Sequence, residues 1–334
     1  MESPSAAVSK NRAYLQERHA NWRVPKEALN GLLESTIGTR ATTFEQIIRG
    51  ADNEVYCVTL ANGQSCYIRI MRSDRDDVPG GVHEEVWCLE ACRQTGTKVP
   101  EVLGVGAVRD GDTTLDALVL STIPGIHFSE TLPQISADDK RKVWNQIGEQ
   151  LSRIHDVKAG GFYRWNPDGE WDFASWEAAC DDSYTCRSRE MPQIVAAGFP
   201  ESDVELALSY IRRYKEEFGC DQPVLCHGDI RPSHVLVDTS LNVTGIVDFG
   251  MYTGDHPVQD FAYISTENKG MMPDGLLEGY GRIVDERFEL RLHYHLVAYL
   301  IGYLAYHIQI PNHPETPELI RNFADNLNWL KANA

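Results

Sequence analysis

Two aspartates in neighbouring segments, Asp229 and Asp248, constrain this chain of 334 residues more than any other feature. Residues 227–238 read HGDIRPSHVLVD and residues 245–250 read GIVDFG, with short strand-like runs at residues 223–226 and 243–247. The pattern predicts a loop carrying Asp229, a metal-capable His234 five residues later, and a second carboxylate beyond a hairpin. Phosphoryl transfer needs such a set, because one carboxylate orients an acceptor hydroxyl while a second helps to hold a charge-neutralising metal.

The segment before residue 125 has the periodicity of a small β-rich region with one helix. Asn62-Gly63 is a strong turn signal between two apolar runs. Strands are predicted at residues 44–48, 54–60, 65–70 and 115–120, and a helix at residues 83–93.

Beyond residue 125 the pattern becomes helical, with apolar residues at helical spacing around residues 143–154 and 204–214. Residues 160–176 are rich in aromatic side chains and are predicted to be irregular. The most apolar stretch, residues 296–310, is too short to span a bilayer and predicts a buried helix. These patterns together predict an α+β fold, β-rich first and helical afterwards.

The His-Gly-Asp segment followed by Asp248-Phe249-Gly250 resembles the catalytic loop and the Asp-Phe-Gly element of protein kinases. Its His-Gly-Asp opening is typical of the aminoglycoside and macrolide phosphotransferases. This resemblance implies a two-lobed protein-kinase-like fold with a small β-rich N-lobe and a larger helical C-lobe. The implied domains are a helical leader at residues 1–40, an N-lobe at 41–123 and a C-lobe at 124–334.

The resemblance also implies where a nucleotide, ATP or GTP, would bind. The turn before the second strand looks like the family's phosphate-covering turn, the third strand carries a cation whose partner lies on the following helix, and a hinge receives the purine. The residues that match these positions are Gly50, Asn53, Arg69, Glu85, Ser121 and Ile123. The family usually has lysine where this chain has Arg69, and Arg pairs with phosphate oxygens as a planar fork.

In the catalytic loop, the resemblance implies that Asp229 positions the acceptor hydroxyl and that Arg231 contacts phosphate. Asp248 and His234 would hold the metal, with Mg²⁺ as the first choice and Mn²⁺ as the alternative. His234 stands where the family usually has asparagine, and imidazole accepts manganese readily. The resemblance assigns a structural role to His227.

A second departure lies downstream of the two aspartates. The family's Gly-Asp-Pro signature is interrupted in Gly254-Asp255-His256-Pro257, so its aspartate is displaced by one residue. Asp260 follows at the family's usual distance and fits a structural brace for the catalytic loop.

The chain carries a formal net charge of -18. Such a field repels nucleic acid and anionic membranes and attracts cations. We therefore expect neither nucleic acid nor a membrane as partner, and we expect a cationic acceptor, an amino sugar above all.

The first ten residues lack the apolar core of a signal peptide, and the eight cysteines lack a CxxC pair. A cytoplasmic protein with reduced thiols is the resulting expectation.

Two other functions stay open at this point. A metabolic kinase for choline, a fructosamine or another sugar would use the same motifs, because these motifs do not encode the acceptor pocket. A pseudokinase that binds nucleotide without turnover is the other alternative, suggested by His234, Arg69 and the displaced Asp255. Retention of both Asp229 and Asp248 argues against it.

Overall fold

Alternating apolar residues build a five-stranded antiparallel sheet, in which the first strand pairs with the second, the second with the third, the third with the fifth, and the fifth with the fourth. The computed structural model describes residues 15–17, 19–49, 53–72, 81–165, 169–282, 287–310 and 316–334. The strands of this sheet are β1 (Ala41–Ile47), β2 (Asn53–Leu60), β3 (Ser65–Met71), β4 (Val102–Asp110) and β5 (Thr113–Ser121).

The chain divides into two compact units, and the sheet belongs to the first. This unit consists of Met1–Gln94, Lys98–Pro124 and Gly245–Gly250. Helix α1 (Lys26–Ile37) and helix α2 (Val82–Gln94) complete this unit.

Strand β3 shows why one face of the sheet forms the core of the first unit. Cys66, Ile68 and Ile70 are fully buried in the cluster that holds the apolar side of α1. Because successive side chains of a strand point to opposite faces, Tyr67 and Arg69 project from the other face. The strand pattern therefore places Arg69 away from this core.

The predicted strands at residues 44–48, 54–60, 65–70 and 115–120 and the helix at residues 83–93 are confirmed. Strand β4 was not predicted from the sequence, because Gly104 and Gly106 interrupt its apolar pattern. A β-carbon on either glycine would lie within 2.7 Å of a side chain of α1, so the helix requires glycine there.

The second unit is mostly helical and carries two small sheets. Its helices are α3 (Phe128–Thr131), α4 (Ala137–Ile154), α5 (Trp176–Ala196), α6 (Glu201–Glu217), α7 (Val258–Glu267), α8 (Leu276–Tyr280), α9 (Phe288–Ile308) and α10 (Thr316–Asn333). Its strands are β6 (Ile126–His127), β7 (Phe162–Trp165), β8 (Trp171–Phe173), β9 (Val224–Cys226), β10 (Val235–Val237), β11 (Val243–Ile246), of which Val243 and Thr244 belong to this unit, and β12 (Thr253–Asp255). The α+β prediction is confirmed.

The aromatic stretch at residues 160–176 differs from the prediction of an irregular segment. Strands β7 and β8 pair there in antiparallel register, and β7 pairs with β12. The register is broken between Phe162 and Trp165, where Tyr163 has a φ of 63°. Short, bulged strands lack the alternation by which a strand is recognised in a sequence.

The predicted buried helix at residues 296–310 corresponds to most of α9. Among the described residues, no helix combines the length and the apolarity needed to cross a membrane. All eight cysteines lie within the described residues, and none of them forms a disulfide.

Candidate active site

The carboxylate of Asp229 lies in the second unit, on the loop between β9 and β10, and both of its oxygens have cationic or hydroxyl neighbours. Tyr263 donates its hydroxyl hydrogen to Oδ1. Arg231 donates from Nη2 to Oδ2 at 3.2 Å. Burial, followed by the negative charge of Asp229, raises the pKa of Tyr263 well above its ordinary value, so this hydroxyl stays protonated. The carboxylate is thus held in one orientation.

His234 closes the same loop against Asp229. Its Nδ1 lies 2.8 Å from the backbone carbonyl of Asp229 and 3.4 Å from the Asp229 Oδ2. Because a carbonyl only accepts, Nδ1 carries the proton and donates, and the lone pair of the neutral ring is on Nε2. A ring oriented through Nδ1 by a carbonyl is the usual arrangement of a metal-binding histidine.

Asp260, on helix α7, anchors the start of the catalytic loop. The backbone N–H groups of His227 and Gly228 donate to its two oxygens at 2.9 and 2.7 Å, and His155 donates from Nε2 at 3.0 Å. Burial alone would raise the pKa of Asp260, but His155, His227 and the Gly228 N–H hold it below its ordinary value. The predicted brace by Asp260 is confirmed.

The group formed by His155, Cys226 and Asp260 also has ligand atoms within 4.8 Å of one another. Both oxygens of Asp260 and Nε2 of His155 are already in the hydrogen bonds of the brace. The opposite ring nitrogen of His155 pairs with the hydroxyl of Tyr280 at 2.9 Å. Hydrogen bonding thus accounts for these groups without a metal.

His227 and Gly228 set the path of the backbone into Asp229. His227 is fully buried, and its Nδ1 accepts from the Asp229 N–H at 3.2 Å, which fits its expected structural role. Gly228 has a φ of 77°, and a β-carbon there would lie 1.9 Å from the carbonyl oxygen of Met251. Both the left-handed backbone and the close approach require glycine.

A second set of charged residues lies within the first unit. Arg69 on β3 donates from Nη1 to Glu85 Oε1 at 2.5 Å and from Nη2 to Asp248 Oδ1 at 2.9 Å. Only 3% of the Glu85 side chain is exposed, against 41% for Asp248. Burial raises the pKa of Glu85, the charge of Arg69 opposes this, and the charge of Asp248 adds to it. The ion pair implied for Arg69 and Glu85 is therefore present.

The backbone at Asp248 is unusual, with a φ of 72° at a residue that is not glycine. Such a conformation costs of order 1 kcal/mol at most residues other than glycine, and aspartate adopts it more readily than most. Leu241 and Lys269 have a similar backbone, so this conformation alone assigns Asp248 no role.

Of the remaining predicted nucleotide-site residues, Asn53 and Ser121 lie at opposite ends of the sheet, because Asn53 pairs with the last residue of β3 and Ser121 with its second residue. Gly50 lies outside the described residues, and Asn53 is the first residue of β2, opposite Met71. Ser121 ends β5, where its backbone N–H donates to the carbonyl of Glu101 at 2.8 Å. Ile123 packs where a β-carbon on Gly245 would lie, 2.4 Å from its Cδ1.

The donor chemistry of the predicted metal residues fits Mg²⁺ or Mn²⁺. Asp248 offers a partly exposed carboxylate, and His234 offers Nε2 of an oriented ring. Hard cations prefer carboxylate oxygen, and imidazole extends the choice toward manganese.

An open cavity of about 270 Å³ lies beside the catalytic loop in the second unit. Arg231, Ser233, Glu267 and Asn268 contribute polar groups to its wall, and Trp144 contributes a ring. The cavity can therefore take a small polar molecule.

Tyr263 is the site residue that sequence reasoning missed. It lies one helical turn after Asp260 on α7, so both side chains point to the same side of that helix. The sequence signal for Tyr263 is this spacing from Asp260, which by itself does not show that the hydroxyl meets Asp229.

The antiparallel sheet with its Arg69–Glu85 pair, the helical unit and the two aspartate segments define a phosphotransferase of the protein-kinase-like fold. The chain belongs to the APH family, the phosphotransferase enzyme family, whose profile matches residues 43–293 and thus well over half of the sequence. This is a family of small-molecule kinases, which confirms the resemblance seen in the sequence.

One curated relative is an aminoglycoside 3'-phosphotransferase of Streptomyces ribosidificus, 26% identical over 200 residues, which are 59% of this chain and 68% of the relative. Solved structures similar to this chain include a putative fructosamine-3-kinase from Thermobifida fusca, with a TM-score of 0.63 and 16% identity, covering 90% of this chain and 98% of that one. Another is the GDP complex of aminoglycoside 2'-phosphotransferase-IIIa, with a TM-score of 0.58 and 15% identity, covering 91% and 98%.

Proposed function

We propose that this protein is a nucleotide-dependent O-phosphotransferase that moves the γ-phosphate to a hydroxyl of a cationic amino sugar, with an aminoglycoside as the foremost acceptor. The observation that carries the proposal is the carboxylate of Asp229, held through Oδ1 by Tyr263 and through Oδ2 by Arg231 on a loop braced by Asp260. A fixed carboxylate next to a cation is what orientation of an acceptor hydroxyl and neutralisation of phosphate charge require.

The proposal assigns a role in phosphoryl transfer to each of the polar residues of the site. Asp229 orients the acceptor hydroxyl and receives its proton late in the transfer, and Arg231 neutralises charge on the transferred group. Arg69, kept in place by Glu85, pairs with nucleotide phosphate oxygens as a planar fork. Asp248 and His234 would hold the metal, which when bound neutralises the phosphate charge.

The nucleotide is ATP or GTP, bound through the hinge at Ser121 and Ile123 and through the turn that includes Gly50 and Asn53. The GDP complex of the similar aminoglycoside 2'-phosphotransferase-IIIa supports a purine nucleotide in a fold of this kind.

The electrostatics favour a cation as acceptor. The chain's net charge of -18 attracts cations from solution. Glu267 lies in the wall of the cavity beside Arg231, where its carboxylate can meet an ammonium group. Two similar proteins of Streptomyces, both aminoglycoside 3'-phosphotransferases, also favour such an acceptor.

A turnover screen tests this proposal. The purified chain is incubated with ATP or GTP, with Mg²⁺ or Mn²⁺, and with single members of a panel of aminoglycosides, macrolides, fructosamines and choline. Mass spectrometry then reads the phosphorylated acceptor. We expect phosphorylation of an aminoglycoside above all other members. Exclusive phosphorylation of a fructosamine or of choline would instead make the chain a metabolic kinase, and absence of turnover with every member would contradict the proposal.

A further inference from the structure

Helix α7 contacts the catalytic loop through two side chains one turn apart. Asp260 accepts from the backbone N–H groups of His227 and Gly228, and Tyr263 donates to the carboxylate of Asp229. The first contact fixes the backbone of the loop, whereas the second acts on the carboxylate itself. The same helix thus controls both the path of the loop and the orientation of its aspartate.

The environment of Tyr263 restricts what its hydroxyl can do. The residue is only 7% exposed, and its ring packs edge-on against Tyr299 with centroids 6.2 Å apart. A ring held in this way keeps its hydroxyl in one place, with the Oδ1 of Asp229 as acceptor. Hydrogen bonds to a charged acceptor are about twice as strong as those between neutral groups.

The two oxygens of Asp229 are therefore distinguished by their neighbours. Oδ1 accepts from a buried hydroxyl, and Oδ2 lies 3.2 Å from the Nη2 of Arg231, whose side chain is 41% exposed. A carboxylate fixed at one oxygen cannot rotate about its terminal bond without breaking that contact.

We propose that Tyr263 is a positioning residue for phosphoryl transfer: its hydroxyl holds the Asp229 carboxylate so that Oδ2, beside Arg231, orients the acceptor hydroxyl. This inference rests on the proposed phosphotransferase function. It adds that the transfer rate depends on a hydroxyl that contacts neither nucleotide nor acceptor.

Kinetics of Tyr263→Phe test the role. The substitution keeps the ring and removes one hydrogen bond, so we expect kcat to fall roughly 10- to 100-fold, as for a slightly misplaced catalytic group. The KM for nucleotide should stay unchanged, because the Tyr263 hydroxyl acts on Asp229, which is proposed to orient the acceptor and not to bind the nucleotide. A kcat equal to that of the unaltered chain would overturn the inference.

Tyr294→Phe is the matched control. Tyr294 is fully buried and also donates its hydroxyl to a carboxylate, that of Glu217, at 3.2 Å. We expect this variant to lose stability to a similar extent and to keep its kcat. An equal loss of kcat in both variants would mean that Tyr263 acts only through stability, and would overturn the inference.

A double-mutant cycle with Asp229→Ala separates positioning from packing. If Tyr263 acts through the carboxylate, then Tyr263→Phe changes the residual rate of the Asp229→Ala chain by less than about twofold. A full additional loss in that background would show that Tyr263 acts through another route.

Proton NMR of tyrosine-labelled protein reads the hydrogen bond independently of turnover. We expect a downfield hydroxyl resonance that is absent from Tyr263→Phe and is lost in Asp229→Ala. With the resonance present, a wild-type chain that transfers no phosphate contradicts the proposed function. If the wild-type chain is active and Tyr263→Phe is equally active, the positioning role is contradicted and the phosphotransferase proposal is not. Absence of the resonance from the wild-type chain would likewise contradict only the positioning role.

Discussion

At the scale of single residues, His234 is where this chain departs most clearly from the pattern it resembles. Its Nδ1 donates to the carbonyl of Asp229, and in the proposed function its Nε2 would bind the metal. We predict that Mn²⁺ supports turnover at least as well as Mg²⁺, because nitrogen ligands favour the later metal. His234→Asn should remain active and shift its metal preference toward Mg²⁺. The turnover rate of His234→Ala should fall roughly 10-fold or more, a typical cost of disturbing a metal's ligand shell.

Steady-state rates in each metal provide the measurement for the His234 series. Equal rates for the histidine, asparagine and alanine forms in both metals would show that His234 is a packing residue. The phosphotransferase proposal would survive that result, but the metal assignment would not.

Asp255, the displaced aspartate of the Gly-Asp-Pro signature, should make stability depend on pH. Burial raises the pKa of this carboxyl from 3.8 to about 7, although the hydrogen bond from the His256 N–H acts to lower it. Between these two values the folded chain binds a proton that the unfolded chain has released, so the free energy of unfolding falls as pH rises through this window. The loss should reach roughly 4 kcal/mol by pH 8 and then level off.

Asp255→Asn removes this titration and keeps an acceptor for the His256 N–H. We therefore predict that the variant gains stability relative to the unaltered chain between pH 5 and pH 8, as measured by urea unfolding. Asp221→Asn, an exposed aspartate of the same unit, is the control and should show no such gain. A constant difference between the Asp255 variant and the unaltered chain across this range would contradict the prediction.

At the scale of elements, helix α7 is joined to the catalytic loop by the hydrogen bonds of Asp260. Asp260 accepts three hydrogen bonds with full burial, so Asp260→Asn would turn an NH₂ group toward N–H donors at one of its two oxygen positions. We predict a loss of about 3 kcal/mol in the free energy of unfolding, as for a broken buried charge pair, together with a fall in turnover. Asp156→Asn, which breaks a surface pair with Arg282, should cost less than about 1 kcal/mol.

Urea unfolding compares the two variants, and turnover is measured at a temperature where both are folded. Similar small losses in the two variants would show that Asp260 is not a brace.

At the scale of the whole molecule, the sequence predicted the elements with regular patterns and missed those without them. The apolar alternation of β2 and β3 and the spacing of α2 were sufficient for these elements. Strand β4 was missed because its two glycines are required by the close packing of helix α1, and no local sequence pattern reveals that contact.

The candidate site divides in the same way. Asp229, Asp248 and the Arg69–Glu85 pair could be predicted because motif spacing carries them. Tyr263 could not, because its partner lies 34 residues away along the chain and depends on how α7 meets the loop. Tertiary contacts of this kind follow from packing and not from periodicity.

The proposal that Asp229 positions an amino-sugar hydroxyl for phosphoryl transfer is tested by one comparison. Phosphoryl transfer to an aminoglycoside is measured for the unaltered chain and for Asp229→Asn, alongside nucleotide affinity by calorimetry. We predict that the unaltered chain phosphorylates the acceptor, and that the variant binds nucleotide equally well while its kcat falls by roughly 10²-fold or more, because only positioning of the hydroxyl is lost. Turnover by the variant close to that of the unaltered chain would contradict the account.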